Sequence, residues 1–217
     1  EEKGGEIRLS CPVSRVEIDN GRIKGVYTNN QFHAFDKVIS TIPLPYVPML
    51  IPDLPGETLD KYRAINNIAV VCVIVRLKRK LTDNFWLNVN DPDMDIPGLV
   101  EYTNLRPLHT HIVYVPFYMP GEHPKYKDPD QVFLDKVKSY LMKINPDLKD
   151  EDFLDLRASR YRHAQPVCPP EFLESLPGAA LPVKGLWVAD TSYYYPEDRG
   201  ISESIGFGRA LARKATA

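Results

Sequence analysis

Polar and apolar residues alternate through residues 6–28, with Ile7, Leu9, Cys11 and Val13 followed by Val16 and Ile18, then by a second run over 23–27. Asn20-Gly21 separates the two runs, and because both residues tolerate positive φ the pair predicts a tight hairpin. Asn29-Asn30 predicts another turn, with a third strand over 32–35. Residues 38–42 (Val-Ile-Ser-Thr-Ile) are uniformly small or apolar and read as a short strand buried on both faces, stopped by Pro43. Prolines at 45, 48, 52 and 55 then predict a crossing into a second region. The Val- and Ile-rich stretch 65–77 predicts a long central strand, with further strands at 85–89, 98–103 and 111–118 in an antiparallel sheet. A helix is expected from a cap at Asp128, with Pro129 at its first position and an apolar stripe of Phe133, Val137, Tyr140, Leu141 and Ile144. Residues 153–165 read as a strand, 185–190 as a short apolar strand ending in a carboxylate, and the segment after Gly200 as a final helix. These elements predict a mixed α+β fold. No internal repeat or low-complexity tract interrupts them.

Composition narrows the partners. The 217 residues are 43% hydrophobic and 26% charged, the balance of a globular protein. Lys and Arg number 27 against 29 Asp and Glu, so the net charge of -2 argues against a phosphate backbone as ligand, and no nucleic-acid partner is expected. The longest uncharged apolar run, residues 68–75, falls far below the roughly 20 residues of a membrane-spanning helix. Pro is 20 of 217, which disfavours an all-helical bundle. Cys11, Cys72 and Cys168 are widely spaced, and with no signal peptide or N-x-S/T site they suggest a reducing, cytoplasmic setting. The chain opens at Glu1 in what reads as the interior of a sheet, which predicts a fragment. The basic run Arg76, Lys78, Arg79, Lys80 reads as the solvated end of a strand.

The most specific chemistry lies in G-L-W-V-A-D-T-S-Y-Y-Y-P-E-D-R-G-I-S-E-S-I-G-F-G-R-A-L-A, residues 185–212. A strand ending in Asp190, then a loop, then a helix opening at Arg199, Gly200, Ile201 and Ser202 directs unpaired N–H groups and a positive dipole end toward a ligand, which suits an anion. Ile201, Ile205, Gly208 and Ala212 share one helix face, and the two small residues permit close approach to a sheet or a ring system. This stretch resembles the C-terminal flavin motif of the flavin-containing amine oxidase, protoporphyrinogen oxidase and phytoene desaturase superfamily. The resemblance implies FAD as cofactor. Asp190 falls where that family's Asp holds the ribityl and pyrophosphate part of FAD, with Ala189 standing where most members have Gly. Gly200, Ile201 and Ser202 match the helix start near the pyrimidine edge of the flavin ring, with Arg199 beside them. At the other end G-G-E-I-R-L-S-C-P-V-S-R-V-E-I and D-K-V-I-S-T-I-P resemble the family's middle segment, and Val13 matches the residue whose backbone pairs with the adenine.

The same resemblance implies three regions: FAD-binding segments at 1–43 and 183–217, and a substrate-binding domain at 44–182. It also implies a partner, because the family's opening G-x-G-x-x-G turn is absent and an N-terminal FAD-binding segment is therefore missing. Gly206-Phe207-Gly208 lies within the final helix and reads as packing. Trp86, Tyr102, Asn104, Tyr114 and Tyr118 on the middle strands either line a pocket for a small-molecule substrate or belong to the core. His109 and His111 offer two imidazoles but no third ligand, so no metal is expected. No Ser or Cys sits in a nucleophile motif, and no catalytic base is identifiable. The expected function is that of the C-terminal part of an FAD-dependent oxidoreductase moving hydride from a substrate C–H to flavin, by amine oxidation or C–C desaturation, with the isolated chain inactive. Two alternatives stand beside it. One is a non-redox flavoprotein resembling UDP-galactopyranose mutase, which requires Arg106, Arg160 and Arg162 inside a pocket; the other is a binding module without turnover.

Overall fold

The computed structural model describes residues 4–197 and 200–216. The chain forms two compact units, Glu1–Asn66 with Pro166–Ala217, and Asn67–Gln165.

In the first unit β1 (Val13–Asp19), β2 (Arg22–Thr28) and β3 (Gln31–Ala34) make an antiparallel meander. Both turns are as expected: Asn20 and Gly21 have φ of 50° and 70°, and Asn29 and Asn30 have 48° and 62°. The alternation before Val13 forms no strand. Ile7 and Leu9 are 69% and 85% exposed, because a strand pattern with no neighbouring ladder leaves its backbone groups to water. β4 (Val38–Ser40) runs parallel to β10 (Leu186–Val188), pairing Val38 with Leu186 and Ser40 with Val188 across a sequence gap of nearly 150 residues. Gly185 precedes β10 at φ 87°, where a Cβ would overlap the Asp36 carbonyl. The expectation that β4 is buried on both faces is corrected, since Ile39 is 41% exposed in this two-stranded sheet.

Residues 44–66 hold two helices that the prolines conceal. After a single 3-10 turn at Leu44–Tyr46 come α1 (Val47–Leu50) and α2 (Gly56–Arg63). Pro45 and Pro48 occupy first-turn positions, where a missing N–H costs nothing. Leu44, Val47, Ile51, Leu59 and Tyr62 then join Val16, Ile23, Phe172, Leu186 and Val188 in one core. The compact units divide at 66/67 and 165/166. α4 (Phe172–Ser175) belongs to this core through Phe172, whereas α5 (Ile201–Thr216) buries only Leu211 and Ala215 among its described residues.

The second unit is a five-stranded sheet in the order β6 (Trp86–Asn88), β7 (Gly98–Glu101), β8 (His111–Pro120), β5 (Asn67–Leu77) and β9 (Phe153–Pro166). The β6–β7, β7–β8 and β8–β5 pairs are antiparallel. Val71, Val73, Val75 and Leu77 with Val113, Val115, Phe117 and Met119 pack beneath Phe133, Val137, Tyr140 and Leu141 of α3 (Asp130–Ile144). The helix starts later than the pattern predicts. Asp128 closes a preceding 3-10 turn and gives its carbonyl to Arg160, and Gln131 bonds forward to Asp135 at 2.7 Å instead of back to a cap. The strand expected over 98–103 ends at Glu101. That carboxylate is fully buried and accepts the Leu81 and Thr82 N–H groups at 3.0 and 2.8 Å, which turns the chain into a 3-10 segment at Tyr102–Asn104.

Candidate functional site

Candidate residues lie in both units. In the first, Val13 is 43% exposed and lines a cavity of about 360 Å³ with Arg8, Cys11, Val26, His33 and Phe35. Asp190 follows β10 directly. Its two carboxylate oxygens accept the Ser192 N–H at 2.8 Å and the Leu44 N–H at 3.0 Å, so it joins the ends of β10 and β4 as well as capping a 3-10 turn at Thr191–Tyr194. A carboxylate has about four acceptor positions, and two remain for a ligand's hydroxyls. Beside it Ser40, 6% exposed, ends β4 with a buried hydroxyl that has no hydrogen-bond partner. Sequence reading missed Ser40; the only hint was a polar residue inside the run Val-Ile-Ser-Thr-Ile.

The tyrosines after Asp190 are structural. Tyr193 donates to the Pro177 carbonyl at 2.9 Å and stacks on Phe207 of α5 with ring centroids 6.1 Å apart. Its hydroxyl lies 3.5 Å from that of Tyr62. Burial pushes the Tyr62 phenol up to about 12 and raises that of Tyr193 as well, so both stay protonated and neither serves as a base near neutral pH. Tyr194 shares a hydrogen bond with Ser204 at 2.7 Å, and Ser204 donates to the Gly200 carbonyl at 2.9 Å, fixing the start of α5. Gly200 leads into that start, Ile201 is 81% exposed, and Ser202 is exposed beside it. The Glu203 carboxylate folds back over Gly200, where a Cβ would overlap it. The helix end thus already faces one negative charge of its own. Arg199, the remaining residue expected here, lies outside the described residues.

In the second unit the strand register assembles three of the five expected substrate residues on one face. Trp86 stands opposite Val100, Val100 opposite Tyr114, and Tyr114 opposite Ile74, forming a row across four strands. Tyr118 stands opposite Val70 on the same side, by the period-2 alternation that puts Val113, Val115 and Phe117 under α3. Trp86 and Tyr118 are 57% and 45% exposed, so this side of the sheet is open. Tyr102 meets Tyr114 edge-on, at 6.3 Å and 88°. Asn104 instead braces a neighbouring loop, its amide donating to the Thr82 and Asn84 carbonyls, both at 2.9 Å. His109 is exposed and His111 turns to the helix-covered side, 3.9 Å from Glu101. Among the described residues no three His, Cys, Asp or Glu side chains converge on a metal position. Arg160 is tied to Asp130 and the Tyr126 carbonyl, and Arg162 to Glu122, so neither is free on the open face.

A parallel strand pair with a carboxylate at its C-terminal end, followed by a helix, and an open antiparallel sheet in a separate unit are features of a flavoprotein fold. The chain belongs to the flavin-containing amine oxidoreductase family, whose model matches residues 1–168. Among solved structures, it is similar to a protein assigned as a protoporphyrinogen oxidase from Exiguobacterium sp. 255-15. The two share 18% identity and a TM-score of 0.70 over 96% of this chain and 47% of that one. An oxidoreductase from Methanosarcina mazei is similar at 19% identity and a TM-score of 0.64, over 87% of this chain and 45% of that one. Reduced UDP-galactopyranose mutase shares 14% identity with a TM-score of 0.59, over 81% and 40%. At these identities the likeness establishes the fold, and the chain spans less than half the length of each. No curated protein sequence matches it. Among the described residues no helix is long and apolar enough to cross a membrane.

Proposed function

We propose that this chain supplies the substrate sheet and the C-terminal flavin-facing elements of an FAD-dependent oxidoreductase, with residues 1–43 and 183–217 on the cofactor and the sheet of the second unit on the substrate. The observation that carries the reading is the parallel pairing of β4 with β10, which unites the two outer segments and sets Asp190 at the ends of the strands, where open parallel sheets hold their ligands. The residues present fit the cofactor: Ser40 has a buried hydroxyl in want of a partner, Asp190 keeps acceptor capacity, and Val13 borders a cavity. When bound, flavin accepts a hydride from a substrate C–H beside nitrogen or on a C–C bond being desaturated. Asp190 and Ser40 would hold hydroxyl groups of the cofactor, the Val13 backbone would meet its adenine, and the backbone N–H groups from Gly200 onward would favour negative charge on the flavin, opposed by Glu203. Arg199 is assigned to the same role. Trp86, Tyr102, Tyr114 and Tyr118 hold the substrate, with Asn104 fixing the turn beneath Tyr102. The nucleotide-sugar alternative loses two of its three required cations, since Arg160 and Arg162 are bound to carboxylates elsewhere.

Cofactor binding on this reading also needs a strand–turn–helix segment carrying G-x-G-x-x-G, to cradle the pyrophosphate and extend the two-stranded parallel sheet. The test is flavin content. The 217-residue chain alone should elute without a flavin band, and the chain joined to such a segment should retain FAD. Asp190→Ala in the joined protein should weaken retention about tenfold or more, as expected for loss of a charged acceptor. A stoichiometric flavin band on the chain alone, or none on the joined protein, overturns the reading.

A further inference from the structure

We propose that one end of the second unit, a rim made by the loops at 81–85 and 105–110, docks on an anionic lipid surface. This rim excludes the residues assigned above to cofactor and substrate.

Strand register builds the rim. β7 ends at Glu101, and β8 begins at His111, which stands opposite Leu77 at the end of β5. The first loop leads into edge strand β6 and the second leads into β8, so both lie at that end of the sheet. Their bases are braced against each other. The Asn104 amide donates to the Thr82 and Asn84 carbonyls, and the Glu101 N–H donates to the Phe85 carbonyl at 2.9 Å. The buried Glu101 carboxylate accepts from Leu81 and Thr82, and the Tyr102 carbonyl accepts from both Leu105 and Arg106 at 3.1 Å. What projects from this base is apolar. Phe85, Leu105 and Leu108 are 40%, 67% and 54% exposed, and every residue from Leu105 to His109 is exposed.

Shape and charge together choose the occupant. A protein partner fits a continuous apolar patch, whereas these side chains stand on separate loop tips, which suits a fluid surface that admits each one singly. Arg106 lies between the two leucines in sequence, is exposed, and among the described residues forms no ion pair. Lys78, Arg79 and Lys80 follow β5 at the same end, and the single carboxylate of the two loops, Asp83, pairs with Lys80 at 3.1 Å. The acidic stretch Asp147, Asp150, Glu151 and Asp152 lies beyond the basic run, before β9 at the opposite edge of the sheet. There Lys138 pairs with Asp150, and the Lys149 N–H donates to the Asp152 carboxylate. The β6–β7 side of the rim is therefore apolar with free positive charge. Leucines of this kind enter the acyl boundary while the guanidinium stays among lipid phosphates.

The test is co-flotation of the full chain with vesicles, one set of phosphatidylcholine alone and one of phosphatidylcholine mixed equally with phosphatidylglycerol. The mixed vesicles should bind the chain about tenfold more tightly, and rising salt should narrow the difference. Arg106→Gln should weaken binding to the mixed vesicles about fivefold, the share of one cation near a charged surface. Leu105→Ser with Leu108→Ser should weaken it about tenfold or more. These substitutions change exposed side chains, and an unchanged Trp86 urea transition in a Trp187→Phe background would show that the unit is intact. Equal binding to the two vesicle types, no binding to either, or undiminished binding in either variant overturns the proposal. So does a dimer in lipid-free solution that the two serines dissociate, because the rim then meets a second copy of the chain. Flavin is absent from every arm, so the result is independent of whether the FAD reading holds.

Discussion

Phe133, Val137, Tyr140 and Leu141 cover one side of the five-stranded sheet and share one core with the inward residues of β5 and β8 from Val71 to Met119. The parallel pair β4–β10 has three residues per strand, and α5 beyond it keeps Ile201 and Ile205 at 81% and 51% exposure. Parallel sheets are normally covered on both faces, and a two-stranded sheet is marginal in isolation. The second unit thus has a sheet with one side packed under a helix, while the first has a core around Tyr62 and Leu186 and an exposed margin at its parallel strands. The two units are measurable separately because Trp86 reports one and Trp187 the other.

The largest expected effect breaks the second unit alone. Phe133 is 2% exposed and packs on Phe117 with ring centroids 5.1 Å apart and on the Arg160 guanidinium at 5.5 Å. Phe133→Ala should destabilise this unit by about 3 to 5 kcal/mol through lost transfer energy and the cavity left behind. In urea the Trp86 transition should move to lower concentration in a Trp187→Phe background, while the Trp187 transition in a Trp86→Phe background stays in place. Equal shifts by both reporters would mean that the chain unfolds as one cooperative body.

The same division explains what the sequence shows and hides. Asn20-Gly21 and Asn29-Asn30 announce their turns because φ is a local property, and the stripe of α3 is visible because its partner face is continuous. Strand parity alone would put Trp86, Tyr114 and Tyr118 among outward positions once the strands are placed, so that part of the candidate site is legible. The row order is not, because it depends on register between strands far apart in sequence. Helix α1 is hidden by prolines whose first-turn positions become harmless only in the folded chain, and α2 by Pro55 at its N-cap. Ile7 and Leu9 show the converse, a valid strand pattern with no ladder to join. The second partner of Asp190, the Leu44 N–H, lies 146 residues away, and only the fold brings it there.

A smaller effect sharpens the comparison through pH. In the second unit Asp95 accepts Lys125 at 2.9 Å and Lys136 at 2.6 Å, which hold its carboxyl down to about 2. A depressed folded value stabilises above the unfolded value of 3.8 and loses that contribution as pH falls toward 2. Because Asp95 is 41% exposed, solvent screening reduces the pair of contacts to about 1 kcal/mol. Stability reported by Trp86 should therefore fall more between pH 4 and 2 in the parent than in Asp95→Asn, with the Trp187 transition the same in both. Parallel pH profiles for the two proteins at Trp86 would show that the lysines contribute nothing net.

The smallest effect addresses the exposed margin itself. Gly206 and Gly208 lie inside α5, and a Cβ at either meets nothing within 4 Å. In a helix whose face is bare, Gly208→Ala relieves backbone entropy at no steric cost and should stabilise α5 by about 0.5 kcal/mol. Slower amide exchange between Ile201 and Thr216 would report it. If the proposed G-x-G-x-x-G segment and flavin close against this face, the same methyl obstructs their approach, so Gly208→Ala should weaken flavin retention in the joined protein while it stabilises the chain alone. A stabilised helix with unchanged retention would show that the cofactor side lies elsewhere on α5. Faster exchange in the chain alone would show that the Gly208 face is already covered, and the contrast between the packed side of the five-stranded sheet and the exposed face of α5 would fail at the residue where it is sharpest.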